Sequence, residues 1–363
     1  MLTQFHSLFW PPFLVSLGAS FFLTLLTFFL SWRTKLIGID DPRLHHHPKV
    51  VHRYPVPRGG GLPIFFSLLL VVLLFLPLDK KVRGIMLGAL LTLVVGLIDD
   101  RFDISPYWRL LANLGAALCV VGAGVGIGFI TNPLGGIIHL DQPRLVFSLG
   151  GVPHQIWLLS SLFGVLWIVW NMNIVGWSCG VDGQLPGFVV IASLVIAILG
   201  LRFRQDMTQW PVIILAAGLA GAYLGFLPWN FYPQKIMPGY SGKSLAGYFL
   251  AVLSILSGAK VATMILVLGV PMADAVIAIG RRVSQGHSPV WGDRGHLHHK
   301  LLDLGFSKRQ IAAFYWLFSA ILGAGALFLN STQKFYAIIM VFFSLLAFSF
   351  WFKNFFNHHS SGS

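Results

Sequence analysis

Gly84-Ile85-Met86-Leu87-Gly88-Ala89-Leu90-Leu91-Thr92-Leu93-Val94-Val95-Gly96-Leu97-Ile98-Asp99-Asp100-Arg101-Phe102-Asp103 is an apolar run that stops abruptly in three carboxylates. No charge falls between Gly84 and Ile98, so the run approaches the roughly 20 residues that cross a hydrocarbon core as a helix. Adjacent acids at a membrane boundary repel one another and resist dehydration. A divalent cation with a phosphate offsets both, and oxygen-only ligands favour Mg2+ or Mn2+. The plainer alternative is acids that cap a helix and sit in water.

The rest of the chain is of the same kind. Its 363 residues are 56% hydrophobic and 10% charged, against about 25% charged in soluble domains, too few to cover a water-facing surface. About eleven apolar segments, 9–30, 61–78, 83–98, 108–130, 156–172, 187–201, 210–227, 244–258, 260–280, 311–329 and 334–352, predict transmembrane helices. The pair 244–258 and 260–280 must turn sharply at Ser257-Gly258-Ala259. The expected fold is an all-α polytopic membrane protein forming one domain over 1–357. His358-His359-Ser360-Ser361-Gly362-Ser363 reads as a disordered tail or a cloning scar, and Met1–Trp10 lacks the basic start of a cleavable signal peptide. Two cysteines make no disulfide framework. The net charge of +13 would suggest nucleic acid in a soluble protein; here positive-inside loops and phosphate partners account for it, with no nucleic acid.

Placing the 31–60 loop inside puts 17 Lys and Arg residues in inner segments and 8 in outer ones, which orients the N-terminus outward and the C-terminus inward for eleven spans. All twelve acids are Asp, and nine of them fall at the inner side. That places the chemistry on the cytoplasmic face of a cell (inner) membrane. The outer loop 131–155 carries Gly135–Leu140 and Arg144–Phe147, a pattern predicting a small extracytoplasmic β-hairpin.

Three further constellations lie on the inner side. The loop from Asp40-Asp41-Pro42 through Lys49, His52 and Pro57-Arg58-Gly59-Gly60-Gly61 supplies cations and a glycine-led helix start that leaves N–H groups for an anion. Asn171 through Asp182-Gly183 reads as a polar stretch between spans, tolerated only where it lines a cavity. Last, the intramembrane acid Asp274 precedes Arg281-Arg282 and then Asp293-Arg294-Gly295-His296-Leu297-His298-His299-Lys300. That histidine cluster suits a pyrophosphate through charge-assisted donors; zinc is the competing reading, opposed by the neighbouring cations.

In this order the blocks resemble the polyprenyl-phosphate N-acetylhexosamine-1-phosphate transferases of glycosyl transferase family 4, over roughly 38–310. Asp41, Pro42, Lys49, His52, Pro55, Pro57, Arg58, Gly60 and Gly61, then Asp99, Asp100 and Asp103, then Asp293 through His299 match the family's motifs. The resemblance implies transfer of a sugar 1-phosphate from a UDP-sugar to a polyprenyl phosphate in the membrane, with release of UMP. It implies that Asp99 and Asp100 hold or activate the acceptor phosphate, with Asp103 beside them, and that Asp99, Asp100 and Asp182 place Mg2+. His296, His298, His299 and Arg282 would bind the donor pyrophosphate. Lys49, His52 and Arg58 would steady phosphate charge. Asn173, Asp182, Lys243, Asp274, Asp293 and Arg294 complete the expected substrate contacts. A homodimer stays open.

Two departures stand out. Gly176 and Cys179 occupy the places of a family Asn and Asp ahead of Asp182, and Tyr240 replaces a family acid that binds Mg2+; a phenol stays protonated at neutral pH and is a poor ligand for a hard cation. Either the remaining Asp residues hold the metal, or Lys243 takes over part of its charge, or the chain binds lipid phosphate without turnover. A transporter, argued from span number alone, would put its ionisable groups near the midplane instead.

Overall fold

A computed structural model of the chain describes residues 2–34, 37–42, 54–133, 135–149, 152–203, 205–258, 261–289 and 295–360. Helices α1 (Leu2–Thr34), α2 (Gly61–Phe75), α3 (Lys80–Phe102) and α4 (Pro106–Gly122) are followed by four short strands. Then come α5 (Leu158–Trp177), α6 (Gln184–Arg202), α7 (Trp210–Asn230), α8 (Gly239–Leu256), α9 (Val261–Val267), α10 (Gly269–Ser284), α11 (Leu297–Asp303), α12 (Lys308–Phe328) and α13 (Ser331–Ser360).

Every segment expected to span carries a helix, and the 260–280 segment carries two, α9 and α10, bent by 84°. Among the described residues, seven helices are long and apolar enough to cross a membrane, or eight with the bent pair taken as one span. The shortfall from eleven has a physical cause: α2, α4 and α8 are short or begin with polar residues and are packed among longer neighbours. The chain turns at Gly258, φ +76°, close to the expected place.

The centre is α6, α7 and α8, whose side chains are buried nearly all round. Helix α1 crosses α7 closely. Gly221 and Gly225 form a G-x-x-x-G pair, and a Cβ on either would lie 2.3 Å from a carbonyl oxygen of α1, that of Phe13 or Leu17. Small residues permit such approach, and packing rather than hydrophobic exclusion drives association in lipid. Ser20 Oγ adds a hydrogen bond to the Ala222 carbonyl at 2.6 Å. At the rim, the apolar window of α13 has no buried residue, as a lipid-facing helix would.

The loop between α4 and α5 holds two hairpins, not the one expected. β3 (Phe129–Thr131) pairs with β4 (Ile137–His139), and β5 (Arg144–Leu149) with β6 (Val152–Trp157), all antiparallel. Gly135 and Gly136, both at positive φ, close the first turn. The expected stretches 135–140 and 144–147 contain β4 and most of β5, but these two strands pair with others and not with each other. At the other end of the bundle, β1 (Ile39–Asp40) pairs with β2 (Val56–Pro57). Followed through its contacts, the chain brings the ends of α1, α3, α5, α7 and α10 and the starts of α2, α4, α6, α8 and α12 to that same end.

Candidate active site

Asp100, in the last turn of α3, is buried against the start of α8. Its Oδ1 accepts from the Tyr240 N–H at 2.5 Å, and its Oδ2 accepts from the Ser241 N–H at 3.2 Å and the Ser241 hydroxyl at 2.6 Å. Helix starts leave N–H groups unpaired and carry partial positive charge; here a carboxylate from a distant helix caps them. Gly239 is required for the approach. It sits at φ +67°, and a Cβ there would lie 2.4 Å from both carboxylate oxygens.

Asp99 and Asp103 meet another partner. Arg109 of α4 donates from Nε to Asp99 Oδ1 at 2.6 Å and from Nη2 to Asp103 Oδ1 at 2.5 Å. Its guanidinium lies 5.3 Å over the Tyr240 ring, whose hydroxyl donates to Asn113 Oδ1 at 3.2 Å. Asp103, at φ 47°, ends α3 in the left-handed region that Asp tolerates. Arg58 donates to Asp40 Oδ2 at 2.6 Å. Burial disfavours the Arg58 charge, but the Asp40 bond and the fields of Asp40, Asp100 and Asp103 outweigh it and raise its pKa. The Gly60 N–H to Met237 carbonyl bond (3.0 Å) and the Met237 N–H to Pro57 carbonyl bond (2.8 Å) tie this loop to the start of α8.

The second cluster forms where α10 meets α11. Asp274 Oδ1 accepts from the Leu297 N–H and Oδ2 from His296 Nδ1, both at 2.8 Å, while His296 Nε2 lies 2.9 Å from Arg282 Nη2. Arginine only donates, so His296 accepts at Nε2 and donates at Nδ1, a tautomer assigned by the network. Arg282 is 2% exposed; it also donates to the Pro289 carbonyl at 2.7 Å and lies 5.3 Å over Trp177. His298 stacks parallel to His296 at 5.8 Å and contacts His299 at 4.2 Å. Its Nδ1 is buried with no hydrogen-bond partner among the described residues. Burial first, then the fields of His299, His296 and Lys243, push its pKa well below the ordinary histidine value. A Cβ on Gly180 would fall 1.9 Å from this ring, so the α5–α6 loop is cut to fit it.

Asp182 and Lys243 lie between the clusters. Asp182 pairs with Lys308 Nζ at 3.1 Å and accepts from the Gln234 N–H at 3.3 Å. Lys243, one turn into α8 from Tyr240, has no hydrogen bond or ion pair among the described residues, and its field reaches Cys179 and His298.

The structure therefore brings together Asp99, Asp100, Asp103, Arg58 and Lys243 around the start of α8, and Asp274, Arg282, His296, His298 and His299 at α10–α11. Asn173 is not in a loop: 171–177 are the last turns of α5, and Asn171 and Asn173 donate to the carbonyls four residues back, each at 2.8 Å. Such back-bonding accommodates Asn in a helix, which leaves only 178–183 as connection. Lys49, His52, Asp293 and Arg294 lie outside the described residues. Sequence reading passed over Arg109, Ser241, Lys308 and Gly180. For Arg109 the signal was present: an arginine at the mouth of an apolar span is a functional candidate in its own right.

As placed, these residues do not compose a metal site. Among the described residues, no three His, Cys, Asp or Glu side chains converge on one point. Asp99, Asp100 and Asp182, the expected ligands, each already receive protein donors.

A model of glycosyl transferase family 4 matches residues 82–258. A "Probable undecaprenyl-phosphate N-acetylglucosaminyl 1-phosphate transferase" of Bacillus subtilis is 30% identical over 319 residues, 86% of this chain and 83% of that protein. The chain belongs to glycosyl transferase family 4. A "Decaprenyl-phosphate N-acetylglucosaminephosphotransferase" of Mycobacterium leprae is 30% identical over 81% of this chain and 79% of its own. An "Undecaprenyl-phosphate alpha-N-acetylglucosaminyl 1-phosphate transferase" of Escherichia coli is 26% identical over 90% and 86%. The matched family segment runs from α3 to the end of α8, so it contains the acidic cluster and Lys243, whereas the histidine cluster lies beyond it. In this family 4 member the Tyr240 phenol packs under Arg109.

Proposed function

We propose that this chain transfers an N-acetylhexosamine 1-phosphate from a UDP-sugar to a polyprenyl phosphate. An oxygen of the acceptor phosphate attacks the phosphorus that bears the sugar. A new P–O bond forms, the bond to the bridging oxygen breaks, and its electron pair leaves with UMP. The products are polyprenyl-diphospho-sugar and UMP. Such transfers are driven by positioning and charge neutralisation rather than by covalent chemistry of the protein.

The observation that carries the reading is Lys243, a half-buried lysine with no hydrogen bond or ion pair among the described residues, set between the acidic and histidine clusters. A cation so placed suits the phosphates of donor and acceptor. Asp100 fixes the helix that presents it. His296, held by Asp274 and Arg282, positions the α11 histidines for the donor pyrophosphate. The 17 to 8 distribution of Lys and Arg supports a cytoplasmic site in the cell membrane.

The test is purified chain with radiolabelled UDP-N-acetylhexosamine and undecaprenyl phosphate. Expected are butanol-extractable label, stoichiometric UMP and a roughly 10–100-fold fall in the rate of both in Lys243→Met. A second reading, binding of polyprenyl phosphate without transfer, is favoured by Gly176, Cys179 and Tyr240 where the resemblance implies an Asn and two acids; retention of the lipid with no label in the extract would establish it.

A further inference from the structure

Among the described residues, Arg109 is the one side chain that ion-pairs with two acids of the α3 terminus at once, at 2.6 Å from Asp99 and 2.5 Å from Asp103. A doubly charged ion at that terminus would need the same carboxylate oxygens. The third acid offers nothing in exchange, because both Asp100 oxygens are taken by the start of α8. The Tyr240 ring closes the remaining side of the guanidinium, and a neutral phenol is a weak ligand for a hard cation. A guanidinium has five N–H donors, and the hydrogen bonds to Asp99 and Asp103 use two of them. Donors on a planar, always-charged group match phosphate oxygens well.

We propose that the Arg109 guanidinium, anchored by Asp99 and Asp103 and stacked on Tyr240, is the resident cation of the acidic cluster: it takes the place of a divalent metal there and offers its remaining N–H groups to the acceptor phosphate. The phosphate clause rests on the proposed transferase function; the clause about metal does not. Tyr240 and the acids act on Arg109 as positioning residues, and Arg109 itself contacts substrate.

Two measurements test it on the full-length purified chain. The first is a Mn2+ titration followed by electron paramagnetic resonance. No saturable site is expected in the wild type, with an unchanged curve in Asp99→Asn, whereas Arg109→Gln combined with Tyr240→Asp frees two carboxylates, adds a third and gains one bound ion. One tight Mn2+ per wild-type chain, lost in Asp99→Asn, overturns the proposal whether or not the double variant folds. The second is transfer after exhaustive chelation. The rate is expected to stay within a few-fold of that with Mg2+, and Arg109→Ala is expected to lower it by about 10²–10³-fold, the size seen when one electrostatic stabiliser is removed, with a raised KM for polyprenyl phosphate. Collapse on chelation, restored by Mg2+, overturns the proposal. Absence of transfer under every condition defeats the transferase reading instead, and the Mn2+ titration alone then decides the metal clause.

Discussion

The two polar clusters at the end of the bundle are built on opposite plans. At the α3 terminus, three carboxylates are distributed among a guanidinium, a hydroxyl and two helix N–H groups. At α10–α11 a single carboxylate, Asp274, anchors a histidine and a buried arginine, and beyond them lies His298 with an unpartnered nitrogen. In both, the acids are consumed in holding the protein together. Besides that His298 nitrogen, what remains unspent among the described residues is donor or cation: Lys243 and the outer N–H groups of Arg109. The lesson is that a site for phosphates can be walled by acids while being faced by cations. A buried acid left unpaired is costly, so each one recruits a partner, and the partners set the geometry.

Four experiments would break or sharpen this comparison. The largest effect is expected from Arg282→Ala, which removes a buried guanidinium that donates to His296 and to the Pro289 carbonyl; hydrogen bonds to a charged group are worth about 1.5–3 kcal/mol each, so thermal unfolding should fall sharply, and Arg282→Lys should not restore it because the planar fork is lost. An unchanged melting temperature would show that the histidine cluster is not a scaffold. Next is Asp100→Ala. Three hydrogen bonds to a buried carboxylate disappear, and a loss of about 3 kcal/mol is expected, at the upper end for charged hydrogen bonds. If activity vanished while stability held, Asp100 would act on substrate rather than on α8.

Lys243→Met comes third: a roughly 10–100-fold loss of transfer, 1.4 kcal/mol per tenfold, with little change in melting temperature because no hydrogen bond or ion pair among the described residues is removed. A drop in stability would mean that the ammonium has a structural partner. The smallest effect concerns pH. The folded pKa of His298 lies below its unfolded value, so as pH falls through about 6.5 the unfolded chain binds a proton that the folded chain refuses. Stability should therefore fall with acidification, by at most about 1.4 kcal/mol per pH unit from this group. Melting temperatures measured at a series of pH values should show a shallower slope in His298→Gln; equal slopes would mean that His298 takes up its proton as readily folded as unfolded.

Much of this could be read in advance, for reasons that differ by region. The helices were legible because hydrocarbon tests every residue of a span for polarity. The stretches 135–140 and 144–147 were legible as strands, but pairing depends on which segments meet, and the two pair apart: 137–139 with Phe129–Thr131 and 144–149 with Val152–Trp157. Asn171 and Asn173 suggested a loop by their helix-poor composition, yet inside a bundle their side chains bond back to their own helix and the helix continues. Arg109 was counted as one more loop charge; only its distance to Asp99 and Asp103 gives it a role.

What the sequence determined by itself is local and additive: long apolar stretches, too few charges for a water-facing surface, and clusters of acids and histidines at the ends of spans. What tertiary structure decided is which of those groups meet. Asp100 caps a helix whose Ser241 lies 141 positions along the chain, and Asp182 pairs with a lysine 126 positions away. Hydrogen bonds and ion pairs act over a few ångströms in space and are blind to distance along the chain. No pattern in one dimension tells whether an acid will hold an ion, cap a helix or clasp an arginine.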